Sequence, residues 1–268
     1  DSMINKEADS VLKQHEKKEK SAAYKTGVII AGLLLIPILI TFIVCLSNGG
    51  GLNTFAVVTA SMLLVAAMTV VPLMAQQKKL TKCIICGVFA LLLIFFFVDR
   101  MYSSNEFMLW SVPTIFGLSI VLFPFVIRGI ELPPVLSDKK ALITMLWDTL
   151  WLFLTIIEVC GHTNDVAGMK AGCIIAFVFV LAAWLIFFDA RYLNANGFIK
   201  SAIIVLTASV WTAFADDICE FLIFGTRQIT IKSVNFSDWT SNICVNANVY
   251  AIVLVSGVIT VSYTHLTL

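Results

Sequence analysis

The chain has 268 residues, of which 59% are hydrophobic and 13% charged, with a formal net charge of +1 and a mean hydropathy of +0.95. Soluble domains carry about 25% charged residues, so roughly half the usual solvating charge is missing, and an ordinary water-soluble domain is excluded. Overall charge near zero gives no electrostatic case for nucleic acid as a partner.

Residues 1–25 are polar, with five acidic and six basic side chains. Their few apolar residues, Ile4, Ala8, Val11 and Leu12, recur at helical spacing and predict a short cytoplasmic helix. A long charged stretch ahead of the first apolar run is not the layout of a signal peptide. Either a native start lies upstream or Met3 is close to it.

Residues 26–260 alternate apolar stretches with short polar hinges. The stretches are 27–46, 52–75, 83–98, 107–127, 141–160, 171–188, 198–224 and 247 onward. A helix rises ~1.5 Å per residue and needs ~20 residues to cross a ~30 Å hydrocarbon core with its backbone groups satisfied. The third stretch is the shortest and reaches back to Leu80 if Lys82 snorkels to the headgroups. The expected fold is therefore an all-α polytopic transmembrane helix bundle of about eight spans, the eighth cut short. Residues 261–268 read VSYTHLTL and resemble a translated sequencing-adapter artefact, which would leave the eighth span authentic only to about Thr260.

Lys and Arg are distributed unevenly among the hinges. The segment before span 1 carries Lys6, Lys13, Lys17, Lys18, Lys20 and Lys25, and even-numbered hinges add Lys78, Lys79, Lys82, Arg128, Lys139, Lys140, Arg191 and Lys200. The opposite side holds Arg100, Lys170, Arg227 and Lys232, so the ratio is fourteen to four. Basic residues collect on the cytoplasmic side, which predicts a cytoplasmic N-terminus. Tyr24, Tyr102, Trp110, Tyr192 and Trp239 fall near span ends, where amphipathic rings favour the interface. Trp147, Trp151, Trp184 and Trp211 lie deeper, as packing residues.

Basic residues before spans 1, 3, 5 and 7, at Lys25, Lys82, Lys140 and Lys200, recur with a period just under 60 residues. Four repeated hairpins would give this period. So would any pair of ~20-residue helices with two short hinges, without common ancestry. Among the six prolines, all in the first half, Pro37 falls inside span 1 and removes a backbone hydrogen bond. Gly168 and Gly172 form a small-xxx-small pair that permits close helix approach.

Carboxylates within spans are the leading functional candidates, because a charge at mid-membrane costs on the order of 3 kcal/mol on insertion scales. Asp148 lies in span 5. Asp216, Asp217 and Glu220 lie in the outer third of span 7, with Glu220 on the face of its two neighbours. Glu158 and His162 close span 5 on the same side. Together these form a candidate ion or proton site. The competing reading ends span 7 near Ala215 and leaves 216–220 in the headgroup layer. Asp148 in turn is satisfied by a hydrogen bond to Thr144, Thr149 or a neighbouring helix.

Cys83 and Cys86 form a CxxC, but a zinc site needs two further ligands and no second pair exists. Cys45, Cys160, Cys219 and Cys244 lie toward the outer side, where a disulfide is chemically open. Cys173 reads as packing. No phosphate loop, HExxH or GxSxG motif is present, so no enzyme, cofactor or metal centre is expected. Asn235, Phe236 and Ser237 match a glycosylation acceptor in an outer loop.

The paired spans, the 132–140 hinge LPPVLSDKK and the Asn-rich entry 242–248 together resemble uncharacterised polytopic membrane proteins of Firmicutes-type bacteria. In these a small cytoplasmic domain, sometimes a zinc ribbon, precedes the helices. The resemblance covers about residues 25–260, carries no catalytic residue and implies a bacterial cytoplasmic membrane. The function expected is the membrane part of a sensor, regulator or accessory protein, its partners being the bilayer and an upstream cytoplasmic domain or a partner protein. The alternative is a small secondary transporter or ion-coupled permease using the intramembrane carboxylates.

Overall fold

The structure, a computed structural model, describes the backbone of residues 2–48 and 52–266 and the side chains of 18–48 and 52–262. The described residues are helical with no strand, and eight of the helices are long and apolar enough to cross a membrane. The chain divides into two compact units, Asp1–Trp151 and Leu152–Leu268.

The first unit begins with α1, Ser2–Ser47, a single helix of 46 residues. The separate short helix expected at residues 1–25 is thus continuous with span 1. The reason is local: residues 2–26 contain neither Gly nor Pro and are rich in Lys, Glu and Ala, all good helix formers. The side chains of Ile4, Ala8, Val11 and Leu12 lie outside the described residues. The helix also continues past Pro37, whose carbonyl accepts a hydrogen bond from Thr41 Oγ1 at 2.7 Å.

Helices α2 (Asn53–Met74), α3 (Lys79–Tyr102) and α4 (Phe107–Gly129) follow, and each packs on its predecessor. Residues 49–51 of the hinge between α1 and α2 lie outside the described residues. Short α5, Pro134–Ser137, occupies the hinge before α6, Lys140–His162. Lys140 Nζ donates to the Arg128 and Ile130 carbonyls at 3.3 and 3.1 Å, so a hinge lysine caps the end of α4. Beside it Lys78 pairs with Glu131 at 2.6 Å. The Lys78 ammonium, through its hydrogen bond and then its charge, with Lys140 adding to it, holds the exposed Glu131 carboxyl below its ordinary range.

The second unit holds the rest of α6, then α7 (Val166–Tyr192), α8 (Gly197–Phe224), a 3-10 turn at Thr230–Ser233 and α9 (Asn242–Leu266). Asp165 and Asn196 cap α7 and α8, accepting from Gly168 N and Phe198 N at 2.8 Å each. Gly225, at φ 72°, closes α8 in the left-handed conformation that favours glycine. Helix α8 packs on α7 and α9, and the 3-10 turn packs on both α8 and α9.

The eighth span is not short. It begins at Asn242 instead of Ala247 and gives 21 apolar-compatible residues, Asn242–Ser262. Its polar entry joins the helix because Asn248 is fully buried and hydrogen-bonded. The proposed artefact at 261–268 concerns side chains that, from Tyr263 on, lie outside the described residues.

Buried positions are mostly small: Ala60, Ala67 and Ala90 in the first unit, Ala202, Ala213 and Ala215 in the second. Small residues let backbones approach where lipid offers no hydrophobic drive to associate. At Gly257 an added Cβ would lie 2.8 Å from Ser209 Cβ, so α8 and α9 approach closely there. The small pair read at Gly168 and Gly172 separates into two roles. Gly172 faces Ile156 of α6, whereas Gly168 sits against its own cap, Asp165.

Candidate functional site

The six candidate side chains belong to different units: Asp148 to the first, and Glu158, His162, Asp216, Asp217 and Glu220 to the second. Among the described residues no three His, Cys, Asp or Glu side chains gather closely enough to hold a metal ion.

Asp148 is half-buried on α6 and turned toward α4. Buried Ser119 donates to its Oδ1 at 2.8 Å, with the same hydroxyl 2.9 Å from the Phe116 carbonyl. Thr144 and Thr149 each donate their hydroxyl to the backbone carbonyl four residues earlier. The neighbouring Trp147 stacks on Phe123, with ring centroids 4.9 Å apart and planes 8° from parallel, which fixes the facing surfaces of α4 and α6.

Asp217 is buried, 9% exposed, on α8. Its carboxylate accepts the Thr230 backbone N–H at 3.0 Å and the Thr230 hydroxyl. The loop between α8 and α9 therefore folds back along α8 to meet Asp217, and α8 itself continues unbroken to Phe224 rather than ending near Ala215. A second buried side chain grips the same loop. Asn248 of α9 accepts from Asn235 N at 2.9 Å and donates to the Asn235 and Asp238 carbonyls at 2.8 and 3.2 Å. Asp238 in turn accepts from Thr240 N, the Thr240 hydroxyl and Ser241 N just before α9. Those hydrogen bonds, Thr240 first, hold the Asp238 carboxyl below its ordinary range.

Asp216, one residue from Asp217, is turned about 100° around the helix and has no such partner. It lines a cavity of about 390 Å³ between α7, α8 and α9, together with Phe179, Trp211, Thr212, Cys219 and Tyr250. Glu220 and Glu158 are half-buried, and His162 is the last residue of α6. All seven cysteines are free thiols; Cys83 Sγ donates to the Ala67 carbonyl at 3.1 Å.

Two polar anchors were not among the sequence candidates. Asp99, 7% exposed at the end of α3, accepts from Ser104 Oγ at 2.8 Å and Glu106 N at 2.7 Å and fixes the turn into α4. Asn248 is the other. For Asn248 the signal was available, since a polar residue inside an apolar run must find a partner; Asp99 follows directly on the 83–98 run, where a carboxylate reads as a hinge residue.

Length, composition and helical packing define a multi-pass α-helical membrane protein. No protein-family model, curated protein or solved structure matches the chain.

Proposed function

We propose that the chain is the membrane part of a sensor, regulator or accessory protein of a bacterial cytoplasmic membrane, with its basic hinges facing the cytoplasm. The observation that carries this reading is the continuity of α1. At ~1.5 Å per residue its 46 residues make a rod of about 69 Å, whereas a bilayer core takes up ~30 Å. A stiff helix joining a polar segment to a span couples a cytoplasmic partner or domain mechanically to the membrane unit. Two of the intramembrane carboxylates, Asp148 and Asp217, serve as structural pins, which leaves them poorly suited to relaying protons.

The competing reading, an ion-coupled permease, is favoured by one observation, the unpartnered Asp216 beside its cavity. Reconstitution separates the two. In proteoliposomes with imposed proton or sodium gradients, flux equal to that of empty liposomes is expected, with Asp148→Asn and Asp216→Asn indistinguishable from the parent. Flux that either substitution abolishes would establish the permease. In native membranes a photo-crosslinker at exposed Lys18 is expected to give one discrete protein adduct.

A further inference from the structure

We propose that the cavity between α7, α8 and α9 binds the ammonium group of a small amphiphile, with Asp216 as its counter-ion. A carboxylate within a span is costly unless it meets a partner or a polar cavity, and Asp216 has no hydrogen-bond partner among the described residues. The same cavity holds one further unmet group, the Tyr250 hydroxyl, which has no hydrogen bond among the described residues. Asp216 on α8 and Tyr250 on α9 thus line one space without partners, an arrangement that a ligand of matching polarity resolves.

The lining selects the ligand's chemistry. A metal cation takes about six or more oxygens, and this cavity offers one carboxylate and two hydroxyls, those of Thr212 and Tyr250, of which Thr212 already donates to the Ala208 carbonyl. Its other walls are aromatic: Phe179, Trp211 and Tyr250. Ring faces attract a desolvated ammonium by about 2 kcal/mol or more, and the carboxylate supplies the charge-assisted hydrogen bond. The Tyr250 hydroxyl offers a hydrogen bond to an oxygen acceptor on the same ligand. The class is therefore a primary ammonium with an ether, ester or phosphate oxygen a few bonds away. An ethanolamine lipid headgroup has that chemistry, and so does a free amino ether.

The site holds whether the chain regulates or transports, since binding and flux are read separately. The test titrates 2-phenoxyethylamine into the full chain in nanodiscs of phosphatidylglycerol alone, followed by calorimetry. Saturable one-site binding is expected, weakened at least tenfold by Asp216→Asn and several-fold by Tyr250→Phe, and unchanged by Asp138→Asn in an exposed hinge. Adding phosphatidylethanolamine to the discs separates the sources: competition identifies the lipid headgroup, and unchanged affinity identifies a free amine. Absence of saturable binding to the parent chain overturns the proposal, as does full affinity in Asp216→Asn. Should that variant fail to fold, unchanged affinity in both Tyr250→Phe and Trp211→Leu overturns it equally.

Discussion

Neighbouring carboxylates on α8 have opposite fates because the helix turns ~100° per residue. Asp217 points to the returning loop and Asp216 to the cavity. Removing Asp217 strands the buried Thr230 N–H and hydroxyl, and each unmet buried group costs about 1–3 kcal/mol. Asp217→Ala is therefore expected to destabilise by about 2–4 kcal/mol, lowering the melting temperature in detergent by on the order of 5–10 °C. Asn248→Ala, which frees three backbone groups at a fully buried position, should do the same. Asp216→Ala should stay within about 0.5 kcal/mol of the parent, as at surface positions without partners. A melting point for Asp217→Ala equal to the parent's would remove the pin from the argument.

Asp238 adds a pH dependence at the same scale. Its carboxyl is held below the ordinary range, so its contribution is present above the unfolded value of ~3.9 and is lost as pH falls through the lower folded value. Acidification into that range should speed amide exchange at Thr240 and Ser241, and Asp238→Asn should show that faster exchange already at neutral pH. Equal exchange in parent and variant at neutral pH would contradict the role. The sequence exposed Asp217 but not its partner, and it did not single out Asp238. Thr230 sits thirteen positions from Asp217 in a hinge with no helical or alternating pattern, so nothing local announces the pairing.

Helices were legible because each is a run of apolar residues punctuated by hinges, and most boundaries agree within a few positions. Two departures have one cause: polar residues were taken as ends. At 1–25 the charges suit a solvated helix as well as a hinge, so α1 runs through them. At Asn242–Asn248 the Asn248 amide finds partners in the loop between α8 and α9, and α9 starts early. Close approaches were less legible, since spacing alone picked Gly168 and Gly172 and passed over Gly257. A larger side chain at Gly257 must displace Ser209, and overpacking of this kind costs about 1–3 kcal/mol. Gly257→Val is expected to lower the melting temperature accordingly, while Gly161→Ala, where added bulk meets open space, should leave it unchanged. Equal stability of the two variants would show that the α8–α9 crossing is looser than described.

At the scale of the whole molecule, fourteen basic residues against four predict the orientation we propose, which no single residue determines. That orientation predicts a cytoplasmic hinge before α3, with Lys78, Lys79 and Lys82, and an external hinge at Thr163–Asp165 between α6 and α7. The carboxylate pins, the stiff α1 and the cavity beside Asp216 all take their meaning from that arrangement, because it decides which end of each meets the cytoplasm. Cysteine-accessibility labelling of intact cells reads it directly, with the parent chain measured in parallel to subtract its own seven thiols. With cysteine placed at position 79 an impermeant maleimide should react only after permeabilisation, and with cysteine at position 164 it should react in intact cells. Labelling of position 79 from outside would reverse the orientation, and labelling of both positions from outside would contradict the eight-span arrangement itself.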